Sequence, residues 1–152
     1  MIRLLTLVVL ALALVSTQAE SRSKRIHVTA EIVEQTFTGD IANPAVGDRL
    51  ISSAKLFDKH DETEQVGTGA GVCTVVSVPE TPSAEDTVIQ CLLSAVFDQG
   101  QITFGGVVHF PEVGAVGRFG ILGGTGRFRR AHGEATLVVI SPTLQEATFD
   151  LE

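Results

Sequence analysis

The chain has 152 residues, enough for one domain and too few for two. A formal charge of −7, 15 glycines, 8 phenylalanines and no tryptophan or tyrosine make it acidic and glycine-punctuated. Such a charge opposes contact with a phosphate backbone, so nucleic acid is not an expected partner.

The first segment reads as an address and not as part of the fold. Arg3 is followed by an unbroken apolar run from Leu4 to Val15 and then by Ser16-Thr17-Gln18-Ala19, with small residues where a signal peptidase reads them. Cleavage is expected after about Ala19, leaving one domain over 20–152 and a secreted, extracellular protein. The run is shorter than the roughly 20 residues that cross a bilayer. No second apolar span follows, so no membrane attachment is expected after cleavage.

Beyond this segment the apolar pattern has period two. Ile26, Val28, Ala30 and Ile32 share one face of a first strand, with His27, Thr29, Glu31 and Val33 on the other. Further strands read at about 48–58, 64–78, 86–98, 100–110, 115–122, 132–141 and 145–151, which makes eight in all. Breakers separate them: Asn43-Pro44, the charged stretch from Asp58 to Glu62, Pro79 and Pro82, Asp98-Gln99-Gly100, Pro111-Glu112, Gly123 to Gly126, and Ser141-Pro142. Eight short consecutive antiparallel strands point to an all-β fold, a single up-and-down barrel, because closure removes exposed strand edges; a sandwich is the alternative. Glycines inside the strands, among them Gly67, Gly69, Gly71, Gly105 and Gly106, suit a wall that bends sharply or a lumen kept roomy.

Cys73 and Cys91 lie in two apolar runs on either side of Pro79-Glu80-Thr81-Pro82-Ser83. A hairpin folded symmetrically about Pro82 sets the two cysteines opposite each other, and an exported protein leaves the reducing cytosol, so a disulfide is expected.

Other motifs carry less chemistry. The run from Gly120 to Phe128 imitates a dinucleotide-binding loop, yet only strand follows it, so it reads as a tight turn with Phe128 folded back as a plug. His27, His60, His109 and His132 have no metal-ligand spacing with one another or with the cysteines, and no metal site is expected. A Gly-x-Ser-x-Gly nucleophile elbow is absent. Arg127, Arg129 and Arg130 read as a solvated loop face, with an anion-binding or interface role as the alternative. Glu31 is the candidate that matters most. Either face of a barrel strand can be inside: turned inward, this carboxylate sits in a low-dielectric lumen and can move a proton; turned outward, it is an ordinary solvated side chain.

Three blocks then fall in order: Val46-Gly47-Asp48-Arg49-Leu50 with Lys55-Leu56-Phe57; Val66-Gly67-Thr68-Gly69-Ala70-Gly71-Val72-Cys73; and Gly123-Gly124-Thr125-Gly126-Arg127-Phe128-Arg129-Arg130-Ala131-His132-Gly133. Together they resemble the allene oxide cyclase and dirigent superfamily of eight-stranded barrels. The resemblance implies that Cys73 occupies the cyclases' lumenal cysteine position and that Glu31, in Ala30-Glu31-Ile32-Val33-Glu34, occupies that of their first-strand glutamate. It implies substrate-binding positions at Asn43 and Pro44, which roughly match a water-holding serine-proline, and at Gly69 and Gly71 of the second block. Val33 stands where the cyclases have asparagine, and their tyrosine is missing.

The function implied is that of an exported barrel that takes a small apolar molecule into its lumen and steers its cyclisation or isomerisation, with no metal or redox cofactor. The alternatives are a dirigent-like guide that fixes stereochemistry and a non-catalytic carrier or structural barrel. Related barrels assemble, so a homo-oligomer, dimer or trimer, is also implied.

Overall fold

The computed structural model describes residues 24–81 and 86–152, so the expected signal segment 1–19 lies outside the described residues. Eight strands follow in chain order: β1 (Lys24–Phe37), β2 (Arg49–Asp58), β3 (Gln65–Ser77), β4 (Val88–Phe97), β5 (Gly100–His109), β6 (Val116–Gly124), β7 (Gly133–Ser141) and β8 (Leu144–Leu151). Each pairs antiparallel with its sequence neighbour, and β1 pairs with β8 to close the barrel. The up-and-down barrel expected from the strand pattern is therefore the fold, and the sandwich is not.

The apolar face of β1 faces inward: Val28 and Ala30 are buried in the core. Alternation then fails once. A bulge between Ile32 and Glu34 inserts an extra residue opposite β2, and beyond it Gln35 and Phe37 pair with Ser52 and Leu50, which also face inward. β1 runs on to Phe37, past the alternation read over Ile26–Val33.

The ends of the barrel differ. At one end, the β6–β7 connection forms a short 3-10 turn over Gly126–Phe128 that folds Phe128 under the barrel, where it is buried. A column of rings runs inward from it. Phe128 lies 5.7 Å from Phe97, Phe97 lies 6.4 Å from Phe149, Phe149 lies 5.2 Å from Phe104, and Phe104 lies 6.0 Å from Phe119. Three of these four contacts are edge-to-face, the geometry that ring quadrupoles favour.

The third sequence block builds this plug. The Thr125 N–H donates to the Gln101 carbonyl at 2.9 Å, Thr125 Oγ1 accepts from the Gln101 N–H at 3.1 Å, and the Arg127 N–H donates to the Gln99 carbonyl at 2.8 Å. Stitched this closely to the β4–β5 hairpin, the turn leaves no room for a side chain: a Cβ on Gly126 meets the Gln99 carbonyl oxygen at 2.4 Å, and its φ of 58° is left-handed. The glycines serve chain packing, in keeping with the plug reading.

Cys73 and Cys91 are register partners on β3 and β4 and are joined by a disulfide, with Cα atoms 3.9 Å apart. Thiol titration of unfolded, unreduced protein should find no free thiol; two per chain would contradict the bridge. Replacing both cysteines by alanine should cost about 3 kcal/mol on the chain-entropy argument, read from urea unfolding. Gly126→Ala should cost at least about 2 kcal/mol in the same assay, and a loss below about 0.5 kcal/mol would mean that the turn is not held as described.

Candidate functional site

With one end packed by phenylalanine, the lumenal space opens at the other. The mouth carries the β1–β2, β3–β4, β5–β6 and β7–β8 connections, and inside it is a cavity of about 400 Å³. That is within the range of small-molecule sites. Phe119 belongs to its floor, and a recess of about 60 Å³ continues below, reaching Phe104 and Phe149. Ser52, Leu93, Leu137 and Gln145 line both spaces and so mark the neck between them. Phe37 and Phe110, edge to face at 5.8 Å, stand beside the mouth.

The chemistry of the wall follows from the strands. β4 to β7 contribute aliphatic side chains such as Ile89, Leu93, Val108, Leu137 and Val139, and β3 and β4 contribute the disulfide. Polar lumenal side chains come from Gln35, Ser52 and Gln145. The ionisable residues on the lining are His109 and Arg118, both exposed, and Arg118 pairs with Glu134 at 3.3 Å. Among the described residues no carboxylate lines this cavity.

Glu31 therefore does not occupy the catalytic position that the resemblance implies. It is exposed on the outer face of β1, opposite Lys55 of β2, because the inward parity of this stretch belongs to Val28, Ala30 and Ile32. Turning it inward would expose those apolar neighbours to water. Cys73 does line the cavity, but its sulfur is bonded to that of Cys91, so it offers a disulfide wall and no thiol.

The remaining positions divide. Gly69 lines the inner recess, where a Cβ would rest 3.5 Å from Ala54 and Leu56. Gly71 does not, because Leu93 leans into the space its side chain would fill, 2.1 Å from a Cβ placed there. Asn43 and Pro44 lie in the β1–β2 connection at the mouth end and contribute nothing to the cavity wall. Asn43 Nδ2 instead donates to Asp40 at 3.2 Å. That bond, together with a stronger contribution from the Ala42 N–H, holds the Asp40 carboxyl below its ordinary range.

Gln35, Ser52 and Gln145 are the lumenal residues that strand alternation alone does not single out. For Ser52 and Gln145 a signal exists: each is a polar residue at a core-facing position of an otherwise apolar strand face. Gln35 is hidden by the β1 bulge, which reverses the parity read from Ile26 onward. A second hollow of about 470 Å³, with His27, His60, Glu64 and Asp98 in its wall, lies on the far side of the plug and does not reach the lumen lining.

Solved structures with the same fold include a pyocyanin demethylase, 23% identical over 85% of this chain and 100% of its own, with a TM-score of 0.68. They also include AbnU, an exo-specific intermolecular Diels-Alderase, 20% identical over 84% of this chain and 98% of its own, TM-score 0.65. The pterocarpan synthase dirigent protein GePTS1 is 14% identical over 86% of this chain and 88% of its own, TM-score 0.60. No curated protein matches the chain in sequence. The family described as the allene oxide cyclase barrel like domain matches residues 25–149, nearly the whole barrel, and the chain belongs to that family.

Proposed function

We propose that this protein takes a small, largely apolar molecule through the open mouth and steers its cyclisation or isomerisation by holding it in a reactive shape. The observation that carries this reading is the cavity of about 400 Å³, apolar over most of its wall. Ring closure that moves electrons within one bound molecule requires proximity and a restricted conformation more than a proton-transfer group. Diels-Alderases among the similar structures support the same reading, since a cycloaddition needs no net proton transfer. The dirigent likeness supports a neighbouring role in which the wall fixes stereochemistry and the chemistry belongs to the ligand.

A non-catalytic carrier is the second reading, and one observation favours it: the described wall offers neither a free thiol nor a lumenal carboxylate. Turnover separates the two, because a carrier returns its ligand unchanged.

We also propose that the protein is exported, on the signal-like order of residues 1–19, and that it self-associates. Its outer wall carries an apolar row in which Ile51, Val72 and Leu92 are register neighbours, with Leu122 beside them; Ile51, Leu92 and Leu122 are exposed. Light scattering at micromolar concentration should find a species larger than one chain, and a monomer would count against assembly.

N-phenyl-1-naphthylamine, a neutral apolar fluorophore, should bind the protein with micromolar affinity. Leu137→Trp, which fills the neck, should weaken it at least about 10-fold, whereas unchanged binding would place the probe outside the lumen. Glu31→Gln should leave probe affinity unaltered and stability within about 0.5 kcal/mol, as for any solvated surface position. A large loss of binding in that variant would return Glu31 to the site.

A further inference from the structure

The polar groups of the lumen are not scattered. Gln35, Ser52 and Gln145 come from β1, β2 and β8, three adjacent strands, and Gln35 and Ser52 are direct register partners. Facing them across the space are Ile89 and Leu93 of β4 and Val108 of β5, while Leu137 and Val139 of β7 stand beside Gln145. Apart from Leu50 of β2, the β8–β1–β2 side of the cavity is thus polar and the rest of its wall is mainly apolar. All three groups on the polar side are neutral, and each both donates and accepts.

These side chains are also available. Among the described residues no buried side-chain polar atom lacks a partner, yet Gln35, Ser52 and Gln145 enter none of the side-chain hydrogen bonds within the protein. Their polar atoms are therefore open to the contents of the cavity. Ser52 and Gln145, at the neck, lie deeper than Gln35, which is exposed toward the mouth. An ionised group brought to this depth would find no opposite charge, because Arg118 and His109 are both on the exposed part of the lining.

We propose that the Gln35–Ser52–Gln145 side recognises a neutral hydrogen-bonding edge, a carbonyl, carboxamide or hydroxyl, on an otherwise apolar ligand that enters polar edge against β8–β1–β2. This rests on the lumen being the binding site and adds the ligand's chemical class and orientation. The two amides and the hydroxyl set specificity: they hold one edge of the ligand while the aliphatic side shapes the rest.

Three naphthalenes of similar size test it: 2-naphthamide, 2-isopropylnaphthalene and 2-naphthoate. The chain has no tryptophan or tyrosine, so naphthalene emission is read with little protein background. Gln145→Leu and Ser52→Ala should each weaken 2-naphthamide about 3- to 10-fold, the usual worth of one hydrogen bond, and leave 2-isopropylnaphthalene within about twofold. The hydrocarbon serves as the control for folding and cavity shape. If it binds and the amide is insensitive to both substitutions, the polar side does not select and this inference fails while lumenal binding stands. If neither neutral probe binds the unsubstituted protein, lumenal binding fails and takes the inference with it. At pH 7, 2-naphthoate should bind at least about 10-fold more weakly than the amide. Equal binding that is lost in Arg118→Ala would overturn the neutral class in favour of an anion held at the mouth.

Discussion

The asymmetric filling of a closed barrel is the constraint on which the rest of this structure depends. Eight strands enclose more volume than their inward side chains occupy, and the column of five phenylalanines from Phe128 to Phe119 takes up that volume from one end only. Every ring in the column stands against another, so the plug is a continuous packed body and not a single lid residue. The lumenal space left over opens at the mouth. Its walls are then set by strand parity, which sends aliphatic side chains in from β4 to β7 and allows polar ones from β8, β1 and β2.

Closure also explains where the sequence motif acts. The Gly123–Phe128 run has the look of a ligand-binding loop, yet the N–H groups of Thr125 and Arg127 and the Thr125 hydroxyl are directed to the backbone of Gln99 and Gln101 in the neighbouring hairpin. Its task is to seat Phe128. Cys73 serves the scaffold too: its bond to Cys91 ties β3 to β4 at the height of the cavity and presents sulfur to the lumen without a reactive thiol.

Much of the fold was legible in the sequence because period-two alternation, turn residues and edge removal all favoured one answer. Cys73 and Cys91 are register partners, as a hairpin folded symmetrically about Pro82 sets them, although a bulge between Val75 and Ser77 interrupts the ladder. The site was less legible. Glu31 is a carboxylate on a strand of mixed polarity, and only the packing of Val28 and Ala30 into the core decides that it faces out. Gln35 could not be placed by alternation, because a one-residue bulge reverses the faces of β1 and nothing in Ile32-Val33-Glu34 announces it. Asn43 and Gly71 show a related limit. Being near the mouth or on the right strand does not make a residue part of the cavity wall when Asp40 or Leu93 has already claimed its contacts.

The central claim, that this barrel is a one-ended container whose ligand sits in the lumen, can be tested most directly by methyl NMR during titration with N-phenyl-1-naphthylamine. Leu93, Leu137, Val108 and Val139 line the cavity, whereas Leu92 and Leu122 lie on the outer wall and Ile102 is packed in the filled part of the core. The account predicts ring-current shifts at the four lumenal residues, with Leu92, Leu122 and Ile102 little changed. Shifts confined to Leu92 and Leu122 would put the ligand on the outside of the barrel and contradict it.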